Sequence, residues 1–103
     1  MNIQHKFNGG TLQINLIGEL DESHAEFVRD NLDEIFRSRA IDEVIIDLSK
    51  LSFMDSTGIG VLIGRYKILN NRGIGLKIAR PSRPVDKVLS LTGIYKIMPK
   101  IIQ

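Results

Sequence analysis

Glu43-Val44-Ile45-Ile46-Asp47-Leu48 is the stretch that decides the fold. The run is almost continuously apolar and β-branched, without the polar alternation of a half-solvated strand. Runs of this kind mark strands covered on both faces, which in α/β domains are parallel and central. Ser49–Asp55 follows as a turn-like connection, and then Ile59, Leu62, Ile63, Tyr66 and Leu69 recur at helical spacing. Asn70-Asn71-Arg72-Gly73 stops that helix, and Gly75–Ala79 reads as another buried-type strand. Ser82-Arg83-Pro84 opens a short helix carrying Val85, Val88 and Leu89, with Ser82 as its cap and Gly93 as its stop. Ile94–Ile102 is short and apolar, a last strand or an irregular cap.

On the N-terminal side, Asn2–Phe7 and Thr11–Ile17 alternate apolar and polar residues around Asn8-Gly9-Gly10. Asn and Gly accept the positive φ of tight hairpin turns, so this is a β-hairpin with Ile3, His5 and Phe7 on one face. Gly18-Glu19-Leu20-Asp21 reads as a polar corner. Ala25, Val28, Leu32, Ile35 and Phe36 then form a helical stripe, with Ser23 and Glu26 spaced as a capping box. The order β-β-α-β-α-β-α, with or without a closing strand, predicts a single α/β domain over residues 1–103. Its sheet is mixed and mostly parallel, of four to five strands, with an N-terminal antiparallel hairpin and helices packed on it.

Composition narrows the function. The chain has 103 residues, 43% hydrophobic and 25% charged, which is room for one ordinary globular domain. Fourteen basic and twelve acidic residues are interspersed, and there is no Trp, so the basic stripe with aromatic platforms of a nucleic-acid binder is missing. No apolar run is long enough to span a bilayer, and Met1–Gly10 does not read as a leader. With no cysteine, the expectation is the bacterial cytoplasm.

Chemistry concentrates in Ser52-Phe53-Met54-Asp55-Ser56-Thr57-Gly58-Ile59-Gly60. Asp55 and Ser56 are both good N-cap residues, and Gly58 and Gly60 keep the first helical turn free of bulk. A helix N-terminus offers free N–H donors and the positive end of a dipole, so it can hold a phosphate. It also lies at the carboxyl end of a parallel strand, the edge where α/β domains bind ligands. Two readings of Ser56 stand at this point, a plain helix cap and a site of phosphorylation. Phosphate beside Asp55 would repel an acidic or apolar partner surface while leaving the fold intact.

The stretch Ser52–Gly60, continued by Val61-Leu62-Ile63-Gly64-Arg65-Tyr66-Lys67, resembles the signature of anti-sigma-factor antagonists with the STAS fold. Gly64-Arg65-Tyr66-Lys67 is most similar to the sporulation branch, which antagonises the anti-sigma-F factor; Gly18–Asp21 and Leu91-Thr92-Gly93-Ile94 fall where similar family segments fall. The resemblance implies an unphosphorylated protein that binds an anti-sigma factor, itself a serine kinase, and so frees sigma-F. It implies phosphorylation at Ser56 to end that binding, and a PP2C-type phosphatase to restore it. By match, Glu19, Asp21, Asp55, Ser56, Thr57, Gly58 and Ile59 form the partner-binding rim. The chain is expected to stop short of the C-terminal helical tail found in many members.

Other classes fit less well. A serine hydrolase elbow needs Gly two residues before its nucleophile, where this chain has Met54. His5 reads as a packing histidine and His24 as solvent-exposed, so neither is placed as a base. No His, Cys, Asp or Glu grouping has metal-ligand spacing, and Gly73-Ile74-Gly75 lacks the remainder of a dinucleotide fingerprint. No enzyme activity and no cofactor are expected. A general-stress antagonist or a stressosome-type STAS module is the alternative within the family, differing only in partner. Arg65 and Lys67 are expected to point outward, and Asp47 to face a strand end or a helix dipole.

Overall fold

The computed structural model describes residues 1–101. Six strands and three helices run in the order β1 (Asn2–Asn8), β2 (Thr11–Leu20), α1 (Ala25–Arg37), β3 (Glu43–Asp47), β4 (Leu51–Met54), α2 (Ser56–Asn71), β5 (Gly75–Ala79), α3 (Arg83–Thr92) and β6 (Lys100–Ile101), with a 3₁₀ turn at Ile94–Lys96. The sheet order is β1-β2-β3-β5-β6. β1 is antiparallel to β2, every other pairing is parallel, and β4 pairs with β2 off this path. The mixed, mostly parallel sheet with an N-terminal hairpin is as expected. Two short strands, β4 and β6, extend it. Ile102, expected in the closing segment, lies outside the described residues.

One expectation needs correction. The Glu43–Leu48 run was read as covered on both faces, yet Val44 and Ile46 are buried while Glu43 and Ile45 are only half-buried. β5 repeats this, with Leu76 and Ile78 buried and Lys77 half-buried. The cause is topological. The steps β2 to β3, β3 to β5 and β5 to β6 all move the same way across the sheet. Right-handed crossovers then carry the connecting helices to one side. Leu12, Ile14, Leu16, Val44, Ile46, Leu76 and Ile78 form the buried face, against Val28, Leu32 and Phe36 of α1 and Leu62 and Leu69 of α2. Gln13, Asn15, Ile45 and Lys77 share the other face.

The corner expected at Gly18–Asp21 is a continuation of β2. Its first half, Thr11–Asn15, pairs with β3, and its last residues, Gly18–Leu20, pair with β4 after a register shift between Gly18 and Glu19. Gly18 sits at φ +121°, a region that side-chain-bearing residues rarely adopt. Ser49–Asp55 likewise contains β4 rather than a plain turn. The capping box is not formed either. His24 is the N-cap of α1 without a side-chain cap, and Ser23 donates to Asp21 at 2.7 Å. His5, read as a packing residue, is exposed.

Arg65 also departs from expectation. It is 7% exposed, and its Nε lies 2.8 Å from Asp33 Oδ1, joining α2 to α1. The pair is close but poorly directed, so neither atom counts as hydrogen-bonded and Nη1 has no partner among the described residues. Ser82 occupies the N-cap position of α3 as expected, but its hydroxyl donates to the Leu51 carbonyl and does not cap the helix.

Asp47 ends β3, as expected of a strand-end residue, and is 2% exposed. Burial pushes its carboxyl up, but hydrogen bonds from Ser49 and Arg80 outweigh burial and hold it below the ordinary value of 3.8. Hydrogen bonds from Ser23 and His24 depress Asp21 as well, and those from Tyr95 and Lys100 depress Asp86. A carboxyl depressed by folding stabilises the fold above its unfolded value, and that contribution disappears as pH falls through the folded value. Thermal melts should therefore hold steady down to about pH 4 and decline below it. Asp47→Asn should start lower and decline less steeply; parallel pH profiles would contradict the assignment.

Candidate functional site at the start of the second helix

Two elements meet here. Leu20, at the end of β2, pairs with Met54, at the end of β4, so Asp21 and Asp55 leave the sheet side by side. The Asp55 amide donates to the Leu20 carbonyl at 3.4 Å, tying the two chain exits together. Asp55 is the N-cap of α2: its backbone is extended and its Oδ1 accepts from the Gly58 amide at 3.0 Å. The Ile59 amide bonds to the Asp55 carbonyl at 3.1 Å. Of the four amides that a helix start leaves open, those of Ser56 and Thr57 remain without an intrahelical partner.

Asp55, and not Ser56, performs the capping. Ser56 is the first helical residue, exposed, and its hydroxyl makes no side-chain hydrogen bond among the described residues. The plain capping reading of Ser56 therefore falls away. Its hydroxyl is free to react, and it stands beside two open amides and the positive end of a sixteen-residue helix.

The rim around Ser56 is acidic. Asp21 accepts from Ser23 Oγ, from the His24 amide at 3.1 Å and from His24 Nδ1 at 2.9 Å. The Ser23 hydroxyl contributes most to lowering its carboxyl, against a smaller upward effect of burial and with further lowering from His24, so it is charged at neutral pH. Glu19 is exposed and lies opposite Phe53 in the β2–β4 pairing. Thr57 is exposed beside Ser56. Gly58 and Ile59, expected on the partner rim, are both buried. They lie in the first turn of α2, directly after Ser56 and Thr57, with little surface to offer.

Gly58 shows why. A Cβ there would lie 2.7 Å from the Leu20 carbonyl oxygen, 2.9 Å from Leu20 Cγ and 2.9 Å from Met54 Cγ. Only a residue without a side chain lets the first turn of α2 rest on the ends of β2 and β4. At Gly60 a Cβ would meet nothing within 4 Å. Gly58→Ala should cost about 1–3 kcal/mol by overpacking. Gly60→Ala should stabilise by up to about 1 kcal/mol through helix propensity. Urea denaturation of the two variants checks this pair; equal effects would contradict it.

Phe53 was missed by the sequence reading. It is 45% exposed on β4, two residues before the cap, and adds an apolar element to an otherwise acidic rim. It lies inside the Ser52–Gly60 stretch, but a segment that reads as a turn gives no sign of which of its side chains a strand would expose.

The model of the STAS domain matches residues 2–103. The chain belongs to the STAS domain family. It is 36% identical to the anti-sigma F factor antagonist of Paenibacillus polymyxa, over 96% of this chain and 85% of that protein. It is 32% identical to the anti-sigma-B factor antagonist of Bacillus subtilis, over 95% of this chain and 88% of that one. Among solved structures, the anti-sigma factor antagonist SpoIIAA in its unphosphorylated form superposes with a TM-score of 0.78 at 30% identity, covering 99% of this chain and 90% of that one. The STAS fold thus accounts for the α/β core and the N-terminal hairpin. No helix among the described residues is long and apolar enough to cross a membrane.

Proposed function

We propose that this protein is an anti-sigma-factor antagonist whose binding is switched by phosphorylation of Ser56. The observation that carries the reading is the division of labour at α2: Asp55 caps the helix, which leaves the Ser56 hydroxyl exposed and uncommitted. Unphosphorylated protein binds an anti-sigma factor through a rim of Glu19, Asp21, Asp55, Ser56 and Thr57, and so frees a sigma factor for transcription in the bacterial cytoplasm. Phosphate on Ser56 is accommodated by the open amides of the helix start, so the fold survives. Its charge beside Asp21 and Asp55 makes the rim unfit for the same partner.

The modifying enzyme in this reading is the anti-sigma factor itself, acting as a serine kinase with ATP, and a PP2C-type phosphatase reverses it. Sigma-F is the favoured pathway, supported by the anti-sigma F relative at 36% identity and by the Gly64–Lys67 segment. A general-stress role is the second reading, supported by the anti-sigma-B relative at 32% identity over nearly the whole chain. Binding measured against purified anti-sigma factors of both pathways separates them: the sigma-F type should bind tightly and the sigma-B type at least about tenfold more weakly. The reverse order would assign the stress pathway, and no binding to either would reject antagonism.

A further inference from the structure

A second surface lies along β1, on the outer edge of the sheet. β1 is the terminal strand of the sheet order, so among the described residues its outer edge has no neighbouring strand. It pairs with β2 in unbroken register over seven residues, from Asn2↔Ile17 to Asn8↔Thr11. Edge strands are ordinarily blunted by proline, bulges, shortness or charged side chains, lysine above all. This one has no proline and no bulge, and Lys6 is its one charged side chain. Beside it runs a groove of about 410 Å³ between β1 and α1, lined by Ile3 and His5 from the strand and Asn31, Glu34, Ile35 and Ser38 from the helix side. A free strand edge with a helix-walled groove along it is the arrangement by which an extended peptide is captured: main-chain pairing supplies affinity and alternate side chains enter the groove.

The chemistry of the groove selects its occupant. Ile3 and Ile35 are half-buried, so they offer apolar contact to a side chain laid between them. Glu34 is exposed and forms no ion pair among the described residues. Further along β1, the Arg39 guanidinium sits 3.7 Å from the centre of the Phe7 ring and is engaged there. A second copy of this chain is a poor fit. A two-fold pairing of β1 with itself would bring a second α1, with its own exposed Glu34, toward the same seam and leave both carboxylates without a counter-charge. We propose that the β1 edge and the β1–α1 groove bind an extended segment of a partner protein, apolar at alternate positions and with a basic side chain set opposite Glu34. This surface is separate from the α2 start and does not depend on the state of Ser56.

The probe is an end-blocked peptide, Thr-Ile-Thr-Lys-Thr-Ile-Thr, titrated into the full chain with amide NMR shifts as readout. The expected result is saturable shifts confined to β1 and the facing side of α1. Glu34→Lys should weaken binding about tenfold and favour the same peptide with Glu in place of Lys. Two N-methylated versions, on the odd or the even amides, should differ, because only one set faces β1. Absence of binding at millimolar peptide, equal behaviour of the two methylated forms, or shifts centred on α2 would overturn the proposal. So would concentration-dependent self-association that shifts the β1 amides without peptide.

Discussion

Ser56→Asp is expected to weaken binding to the anti-sigma factor by about a hundredfold or more, with little change in the cooperativity or midpoint of thermal unfolding. The two halves of this result have separate causes. A carboxylate at the first helical position faces open amides and the positive dipole end, worth about 0.3–1 kcal/mol in favour of the fold. Ser56 is exposed and bonds to nothing that the substitution would break. At the proposed partner rim, however, one more negative charge joins Asp21 and Asp55. Calorimetric titration beside a thermal melt reads both halves at once. Unchanged affinity would reject the switch, and a collapsed melt would mean that Ser56 holds the fold.

The second large effect belongs to the pair that joins α1 to α2. Asp33→Ala is expected to destabilise by about 3–5 kcal/mol, because it leaves the Arg65 guanidinium buried without a counter-charge. Arg65 is 7% exposed, whereas Asp33 is part-exposed, so water reaches the place of the lost carboxylate from one side only and leaves most of the guanidinium dry. Arg65→Met, by contrast, keeps the volume of the side chain and removes the charge. The existing pair is poorly directed, with Nη1 unpartnered, so this variant should match or exceed the parent in stability. Urea unfolding of both distinguishes them. Equal losses would show that the pair is well formed and stabilising.

Legibility followed physical cause. Elements with a clean period were readable: the hairpin about Asn8–Gly10, the stripe Ala25–Phe36, and α2 with its Asn70–Gly73 stop all fall where the pattern puts them. β4 was not, because Leu51 and Met54 are buried while Ser52 and Phe53 between them are exposed, a spacing of three that no strand alternation predicts. The single-sided sheet was hidden for another reason. Ile45 is β-branched on a half-buried face, so its identity carries no record of which side the helices occupy. Arg65 was misplaced because charge alone assigns a residue to solvent, and its partner Asp33 lies on another helix.

The candidate site was legible as a stretch but not as a geometry. Ser52–Gly60 marked the place, and the family resemblance marked Ser56, yet sequence could not decide between Asp55 and Ser56 as the cap. That choice depends on an extended backbone at Asp55 and on a bond to Gly58 across three residues. Gly58 and Ile59 moved from the rim to the interior for the same reason. The helix start is pressed closely on Leu20 and Met54 at Gly58, and Ile59 after it keeps only 9% of its surface.

The most direct test is to incubate the protein with the proposed anti-sigma kinase and ATP, map the modified residue by mass spectrometry, and measure binding before and after. The account predicts a single phosphate on Ser56, absent in Ser56→Ala, and loss of binding in proportion to its incorporation. Phosphate on another residue, or phosphorylated Ser56 with undiminished binding, would contradict it.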